Sequence, residues 1–224
     1  MSYITPFESV HKQLGANFGV FADWTMPSDF GDVDRELAAV DNGIAAFDLS
    51  SFGRISVSGE QSEELIGTLV GYGADKLLLD QWIWAQAGQD EARSQVRIAR
   101  TEKGYFLFTE PGQRQKIFEY INVLSDKNEF LDVKIMDITE KTGMLALYGA
   151  LAVDVLKKIL PIDIGGLEIG SVMSISFFMM SITIVRGSWL GIDGLELLCP
   201  KSACVLAAGA ISKYHKRENI TPAG

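Results

Sequence analysis

The pattern of apolar and polar positions changes period repeatedly along the 224 residues, which predicts interleaved strands and helices. Alternation with a period of two predicts strands over 54–58, 96–100, 105–109, 133–136, 144–148, 173–178, 182–185 and 195–198. Helical spacing predicts helices over 35–42, 63–70, 115–124, 151–160 and 201–213. Hairpins are frequent, and the regular βα rhythm of a parallel sheet is absent. The pattern therefore predicts an α+β fold with antiparallel or mixed sheets.

Local signals indicate where several of these elements begin and end. Asp32 is a typical N-cap for the first of these helices, and Gly43 is expected to end it. Ser58 and Gln61 have the spacing of a capping box at the start of the second. Pro111 precedes the third, where a first helical turn tolerates proline. The segment 101–104 between two strands has the composition of a hairpin turn.

One uncharged stretch is long enough to raise the question of a membrane span. It runs from Ile169 to Val185, 17 residues, whereas a span needs about 20. Because it contains serine and threonine and partly alternates, we interpret it as two buried strands. The N-terminus lacks the basic region and apolar run of a signal peptide. With Cys199 and Cys204 as the two cysteines, these features predict a protein of the reducing cytoplasm.

Composition excludes several classes of function. The chain carries 20 Lys and Arg against 29 Asp and Glu, a net charge of −9, which disfavours binding to nucleic acid. His11 and His215 are the two histidines, and the pair Cys199 and Cys204 has no imidazole nearby to complete a tetrahedral site, so no metal site is expected. We interpret both histidines as solvated rather than catalytic. Neither a P-loop nor a serine nucleophile elbow is present in the sequence.

Aromatic residues near glycines and turns are the remaining candidates for chemistry. They are Trp24, Phe52, Trp82, Trp84, Phe177, Phe178 and Trp189. A flat heterocycle could stack on such rings while a carboxylate such as Glu196 fixes its orientation. The alternative is that the rings are simply part of the core, and the composition favours that alternative.

Four segments together resemble the glycine-cleavage T-protein (aminomethyltransferase) family. They read FADWTMP over 21–27, AFDLSSFGRISVSG over 46–59, LALYGALA over 145–152 and GIDGLELLCP over 191–200. Their order and spacing match the family from near residue 7 to the end of the sequence. Singly the segments are weak signals, but in combination they are moderately specific.

The resemblance implies a tetrahydrofolate-binding fold related to ferredoxin-like plaits. Residues 1–50 and 139–224 would form one discontinuous folate-binding domain, with a ferredoxin-like domain inserted over 51–138. In this family a one-carbon group moves between a carrier and the N5 atom of folate. The family's C-terminal barrel, and an arginine that grips the folate tail, would lie beyond Gly224. We therefore expect an exposed apolar face, and with it a homodimer or a subunit of a hetero-oligomer.

Residue by residue, the resemblance assigns a set of binding positions. Phe52 would make an apolar contact, Trp82 would be a pocket aromatic, and Phe177 and Phe178 would replace an aromatic pair. Trp189 stands at a family tyrosine, Glu110 stands near a family asparagine, and Glu196 matches the carboxylate that anchors the amino edge of the pterin. A carboxylate suits this role because it accepts two parallel N–H bonds from one heterocycle edge.

The resemblance also places a departure at the catalytic position. The family's catalytic aspartate aligns with Ser94, which carries no charge near neutral pH. Asp90 or Glu91 could replace it if the loop is shifted. Three hypotheses follow: a folate-dependent one-carbon transferase, a non-catalytic folate-binding or regulatory module, and a small structural subunit of a multimeric one-carbon or sarcosine-oxidase-type enzyme. The partner is expected to be a folate-type small molecule, without nucleic acid or membrane.

Overall fold

The computed structural model describes residues 2–71, 76–88, 93–159, 164, 166–177 and 180–224, with the side chain of Phe177 excepted. Asp90, Glu91 and Phe178, which the sequence nominates for the site, lie outside the described residues. The chain divides into two units. Unit 1 comprises Met1–Ser51 and Lys141–Gly224, and unit 2 comprises Phe52–Glu140.

The described elements are numbered here in chain order. The strands are β1 (Tyr3–Ile4), β2 (Asn17–Phe21), β3 (Trp24–Asp29), β4 (Ile44–Asp48), β5 (Gly53–Ser58), β6 (Trp82–Ala87), β7 (Ser94–Thr101), β8 (Gly104–Thr109), β9 (Lys134–Asp137), β10 (Thr142–Tyr148), β11 (Val172–Phe177), β12 (Met180–Arg186), β13 (Gly194–Pro200) and β14 (Ile220–Ala223). The helices are α1 (Glu8–Gln13), α2 (Val33–Asn42), α3 (Ser62–Val70), α4 (Arg114–Lys127), α5 (Ala152–Ile159) and α6 (Cys204–Tyr214).

Unit 2 is a five-stranded antiparallel sheet in the order β6-β7-β8-β5-β9. Leaving out the edge strand β6, the chain runs β5, α3, β7, β8, α4, β9, which is the order of a ferredoxin-like plait. One face of the sheet packs with α3 and α4 around a core that includes Ile55, Leu65, Ile98, Leu107 and Ile117. The expected α+β fold, related to ferredoxin-like plaits, is confirmed.

Unit 1 contains a six-stranded sheet in the order β11-β12-β13-β10-β4-β14 and a separate three-stranded sheet, β1-β3-β2. The larger sheet is mixed, because β14 runs parallel to β4 while the other pairs are antiparallel. Leu147, Ile184 and Leu195 lie on one face and share a core with Val155 and Leu156 of α5. The uncharged stretch supplies β11 and most of β12, so the two strands are confirmed, but the expectation that both are buried is wrong, because Ser174 and Ser176 of the edge strand β11 are exposed. Within the described residues, none of the helices is both long and apolar enough to cross a membrane.

One of the two predicted helix caps is confirmed and the other is wrong. Asp32 caps α2 as predicted, since its side chain accepts the backbone N–H of Arg35 at 3.1 Å. The capping box at Ser58 is wrong, because Ser58 is the last residue of β5 and pairs with Lys134. The Gln61 side-chain oxygen instead accepts the N–H groups of Leu131 and Asp132, at 2.9 and 3.0 Å. Gln61 therefore bonds to a segment 70 and 71 positions away instead of completing a capping box at the start of α3.

Candidate functional site

Glu196 lies in the middle of β13, an interior strand of the six-stranded sheet. Its register partners are Ala146 on β10 and Val185 on β12. None of its surface is exposed to solvent. A buried carboxylate is costly to desolvate unless hydrogen-bond donors surround it, so this position marks a polar site in the interior of the sheet.

Tyr148 provides a donor for that carboxylate. Its hydroxyl donates to Oε1 of Glu196 at 2.7 Å, and its ring is almost completely buried. The backbone N–H of Trp189, in the segment between β12 and β13, points at the Tyr148 oxygen at 3.4 Å. The ring of Phe47 lies 5.5 Å from the ring of Tyr148. The sequence-predicted residues Trp189 and Glu196 are thus brought together through Tyr148, which the sequence analysis missed.

The two faces of this sheet differ in what they could bind. Phe47, Ala146 and Glu196 are register neighbours and share one face, which we call the Glu196 face. The other face borders a cavity of about 210 Å³, with Leu197 and Ile211 in its wall. Every described residue lining that cavity is apolar or cysteine. A heterocycle with N–H donors would find no carboxylate among the described residues of that cavity wall, whereas the Glu196 face offers one.

Unit 2 carries a second unusual face, opposite its helices. Trp84, Arg97, Phe108 and Arg54 form one continuous row across β6, β7, β8 and β5. The guanidinium carbon of Arg97 lies 5.2 Å from the Trp82 ring centroid, 5.8 Å from that of Trp84 and 5.0 Å from that of Phe108. Arg97 is fully buried. The rings therefore hold a desolvated cation through cation–π contacts.

Phe52 has a structural contact in the same unit. Its carbonyl accepts Nη1 of the buried Arg54 at 2.6 Å, and the carbonyl of Thr139 accepts Nη2 at 2.5 Å. Two backbone carbonyls thus accept hydrogen bonds from one buried guanidinium. Phe52 and Trp82 therefore both lie beside arginines, which the aromatic pattern alone did not indicate.

Ser94 and Glu110 lie apart from this arginine–aromatic face. Ser94, the first residue of β7, donates its hydroxyl to the side-chain oxygen of Gln113 at 2.8 Å. Because side chains alternate along a strand, Ser94 projects from the face opposite to Arg97. Glu110 is exposed and precedes the short turn of helix that leads into α4. That Ser94 stands at the family's catalytic position stays a prediction.

A buried polar cluster in unit 1 corrects the interpretation of His11 as solvated. His11 is buried, and its Nε2 lies 2.8 Å from Oδ2 of Asp48. The same carboxyl oxygen accepts a very short hydrogen bond from the Thr5 hydroxyl, while Oδ1 accepts the N–H of Ser50 at 2.9 Å. Asp48 belongs to the segment AFDLS, so the aspartate of this motif organises local structure. No group of three potential metal ligands occurs among the described residues.

Comparison with known proteins agrees with the resemblance. The family model described as the GCVT N-terminal domain matches residues 7–224. An aminomethyltransferase of Geobacillus sp. (strain WCH70) is 25% identical over 224 residues, which cover 98% of this chain and 60% of that protein. An aminomethyltransferase of Pseudothermotoga lettingae is 28% identical over 200 residues, 87% of this chain and 54% of that protein. The chain thus spans between a half and two thirds of these relatives.

Two solved structures share the fold. The glycine cleavage system aminomethyltransferase T from Bartonella henselae superposes with a TM-score of 0.82 at 22% identity, over 94% of this chain and 57% of that one. A chain of heterotetrameric sarcosine oxidase from Corynebacterium sp. U-96 gives a TM-score of 0.54 at 14% identity. That match covers 83% of this chain and 93% of the other.

Proposed function

Because the chain belongs to the GCVT N-terminal domain family, we propose that it binds tetrahydrofolate through the Glu196 face of unit 1. The observation that carries the proposal is the fully buried carboxylate of Glu196 in an interior strand. An ionised carboxylate accepts two parallel N–H bonds, which the amino edge of a reduced pterin supplies. The position coincides with the pterin-anchoring carboxylate that the resemblance implies.

Aromatic side chains supply the second part of the proposed site. Phe47 and Tyr148 pack together beside Glu196, and Trp189 reaches Tyr148 through its backbone. Ligand pockets typically combine such apolar walls with few polar anchors, and a planar heterocycle gains stacking energy from the walls. One carboxylate and neighbouring rings are the combination that a pteridine ring requires.

Transfer of a one-carbon group to N5 of the folate is the further step that the relatives' names suggest. Such transfer needs a group that takes or gives a proton near the reacting nitrogen, and general acid–base catalysis contributes about 10²–10⁴ in rate. Ser94 is neutral and is engaged with Gln113. We therefore propose folate binding as the function of this chain, since Ser94 by itself does not supply the proton-transferring group that one-carbon transfer needs.

Isothermal titration calorimetry of the folded chain with tetrahydrofolate tests the proposal. We expect saturable heat with one folate per chain, and comparable heat with 5-methyltetrahydrofolate, because the anchor contacts the pterin edge rather than N5. The same concentration of a pteridine-free control, 4-aminobenzoylglutamate, should give no saturable heat. Absence of heat with both folates would contradict folate binding by the wild-type chain.

A role as a subunit is the second candidate function. The observation that favours it is the match to 93% of a chain from a heterotetrameric oxidase, a protein of similar extent. Val205 and Leu206 of α6 are also largely exposed, as expected for a surface that meets another chain. We expect size-exclusion chromatography with light scattering at tens of micromolar to show a dimer or larger assembly, reduced to monomer by the double change V205K/L206K. A wild-type monomer would contradict self-association through this surface.

A further inference from the structure

We propose that Tyr148 is a latch on the folate anchor: its hydroxyl holds Glu196 closed, and a bound pterin must displace it. The inference rests on the proposed function and adds a residue that regulates the same site. Tyr148 and Glu196 stand on neighbouring antiparallel strands, where Ala146 faces Glu196 and Tyr148 faces Gly194. They are therefore diagonal neighbours on one face, a spacing that long side chains bridge.

The sheet is shaped to admit the Tyr148 ring at this point. A Cβ atom on Gly194 would lie 2.5 Å from Cδ1 of Tyr148, so only glycine leaves room for the ring there. On β4, the Phe47 ring packs against the Tyr148 ring at 5.5 Å. The Tyr148 ring thus lies between Gly194, which has no side chain, and the ring of Phe47.

The direction of the hydroxyl proton follows from two hydrogen bonds of the Tyr148 oxygen. The Trp189 N–H can only donate, so at 3.4 Å it uses a lone pair of the Tyr148 oxygen. The single hydroxyl proton then points to Oε1 of Glu196, at 2.7 Å. Because the acceptor is a carboxylate, this hydrogen bond belongs to the stronger, charge-assisted class.

Closure of the site follows from burial. Glu196 has no exposed surface and Tyr148 almost none, so no ligand reaches the carboxylate in this conformation. A bidentate N–H edge approaches both carboxylate oxygens in the carboxylate plane, and the Tyr148 hydroxyl fills one of the two acceptor directions of Oε1, so an edge that uses this direction must displace the hydroxyl. The bound and latched states are therefore alternatives. When only a fraction of molecules is open, the apparent affinity falls by that fraction.

The variant Y148F tests the latch because it keeps the ring and removes only the hydroxyl. Its packing against Gly194 and Phe47 should persist, while the closed state loses its hydrogen bond to a charged group. We expect Y148F to bind tetrahydrofolate about tenfold more tightly than the wild type by calorimetry. The matched control is Y105F, which removes the hydroxyl of another buried tyrosine, on β8 of unit 2. Y105F should leave the affinity unchanged.

A second measurement reads the latch without relying on affinity. A buried, hydrogen-bonded phenol proton exchanges slowly, so proton NMR of the ligand-free protein should show a hydroxyl resonance that Y148F loses and Y105F keeps. Saturating tetrahydrofolate should remove it from the wild type.

The outcomes separate the latch from the proposed function. If the wild type binds and Y148F binds equally or more weakly, Tyr148 positions Glu196 rather than blocking it, and the latch is wrong while folate binding stands. If Y148F alone binds, the latch is supported and folate binding by the wild-type chain is contradicted. If neither binds although circular dichroism shows both folded, the proposed function fails and the inference with it.

Discussion

Replacing Glu196 by glutamine is expected to weaken tetrahydrofolate binding by about tenfold to a hundredfold. Glutamine has nearly the same shape, but one of its two polar atoms donates rather than accepts. It can therefore accept only one of the two N–H groups on the pterin edge and opposes the other with its own N–H. The lost charge-assisted bonds act in a fully buried position, where solvent does not compensate for them. The measurement is calorimetric titration of E196Q with tetrahydrofolate beside the wild type.

The matched control is E36Q, in the same unit. Glu36 is also a buried glutamate, and its carboxylate accepts the backbone N–H groups of Phe30 at 2.6 Å and Gly224 at 3.1 Å. E36Q should lower stability and leave the folate affinity unchanged. Equal affinities of E196Q and the wild type for tetrahydrofolate would show that Glu196 does not contact the folate. Equal losses in both variants would indicate a general effect of altering buried carboxylates.

Replacing Asp48 by alanine is expected to lower the free energy of unfolding by about 3–5 kcal/mol. The Asp48 carboxylate is the common acceptor for Thr5, for Nε2 of His11 and for the backbone N–H of Ser50. Alanine removes all three acceptor contacts at once and leaves the partners buried without replacement. An unsatisfied buried donor typically costs about 1–3 kcal/mol. Urea unfolding near pH 7, followed by circular dichroism, measures the change.

The control for this prediction is D126A, which removes an exposed aspartate from α4. A surface change of that kind should shift stability by no more than about 0.5 kcal/mol. A loss below about 1 kcal/mol for D48A would show that the cluster of Thr5, His11 and Asp48 is not a stabilising unit. The aspartate of the AFDLS segment would then need another explanation.

Local sequence signals predicted the structure correctly where no distant strand competed for the same residue. The turn over 101–104 is confirmed, since Thr101 pairs with Gly104. The Asp32 cap is also confirmed, since its side chain accepts the N–H of Arg35, three residues along the chain. Ser58 carried an equally good local signal and failed, because β5 extends through it to pair with β9. In that case ladder hydrogen bonds to a distant strand outweighed a local cap.

Polar residues in the interior were harder to predict. The sequence placed His11 in solvent because an isolated histidine is usually solvated, and its partner Asp48 lies 37 positions away. Arg97 sits within the strand VRIAR, where alternation alone suggests an outward cation. In the structure, Trp82, Trp84 and Phe108 surround it on three sides. The signal that could have revealed it is the coincidence of aromatic residues with the same alternation on the two neighbouring strands.

The sequence by itself determined the α+β class, the strands that hairpins and alternation define, and the family, because these depend on short-range periodicity and on motifs read in order. The pairing of Tyr148 with Glu196 was decided only by the tertiary structure. It requires β10 and β13, 45 or more positions apart along the chain, to meet in one register. A shift of one residue would have turned Glu196 to the opposite face, because side chains alternate across a sheet. Strand register is set by the burial of the whole sheet, and no local pattern contains it.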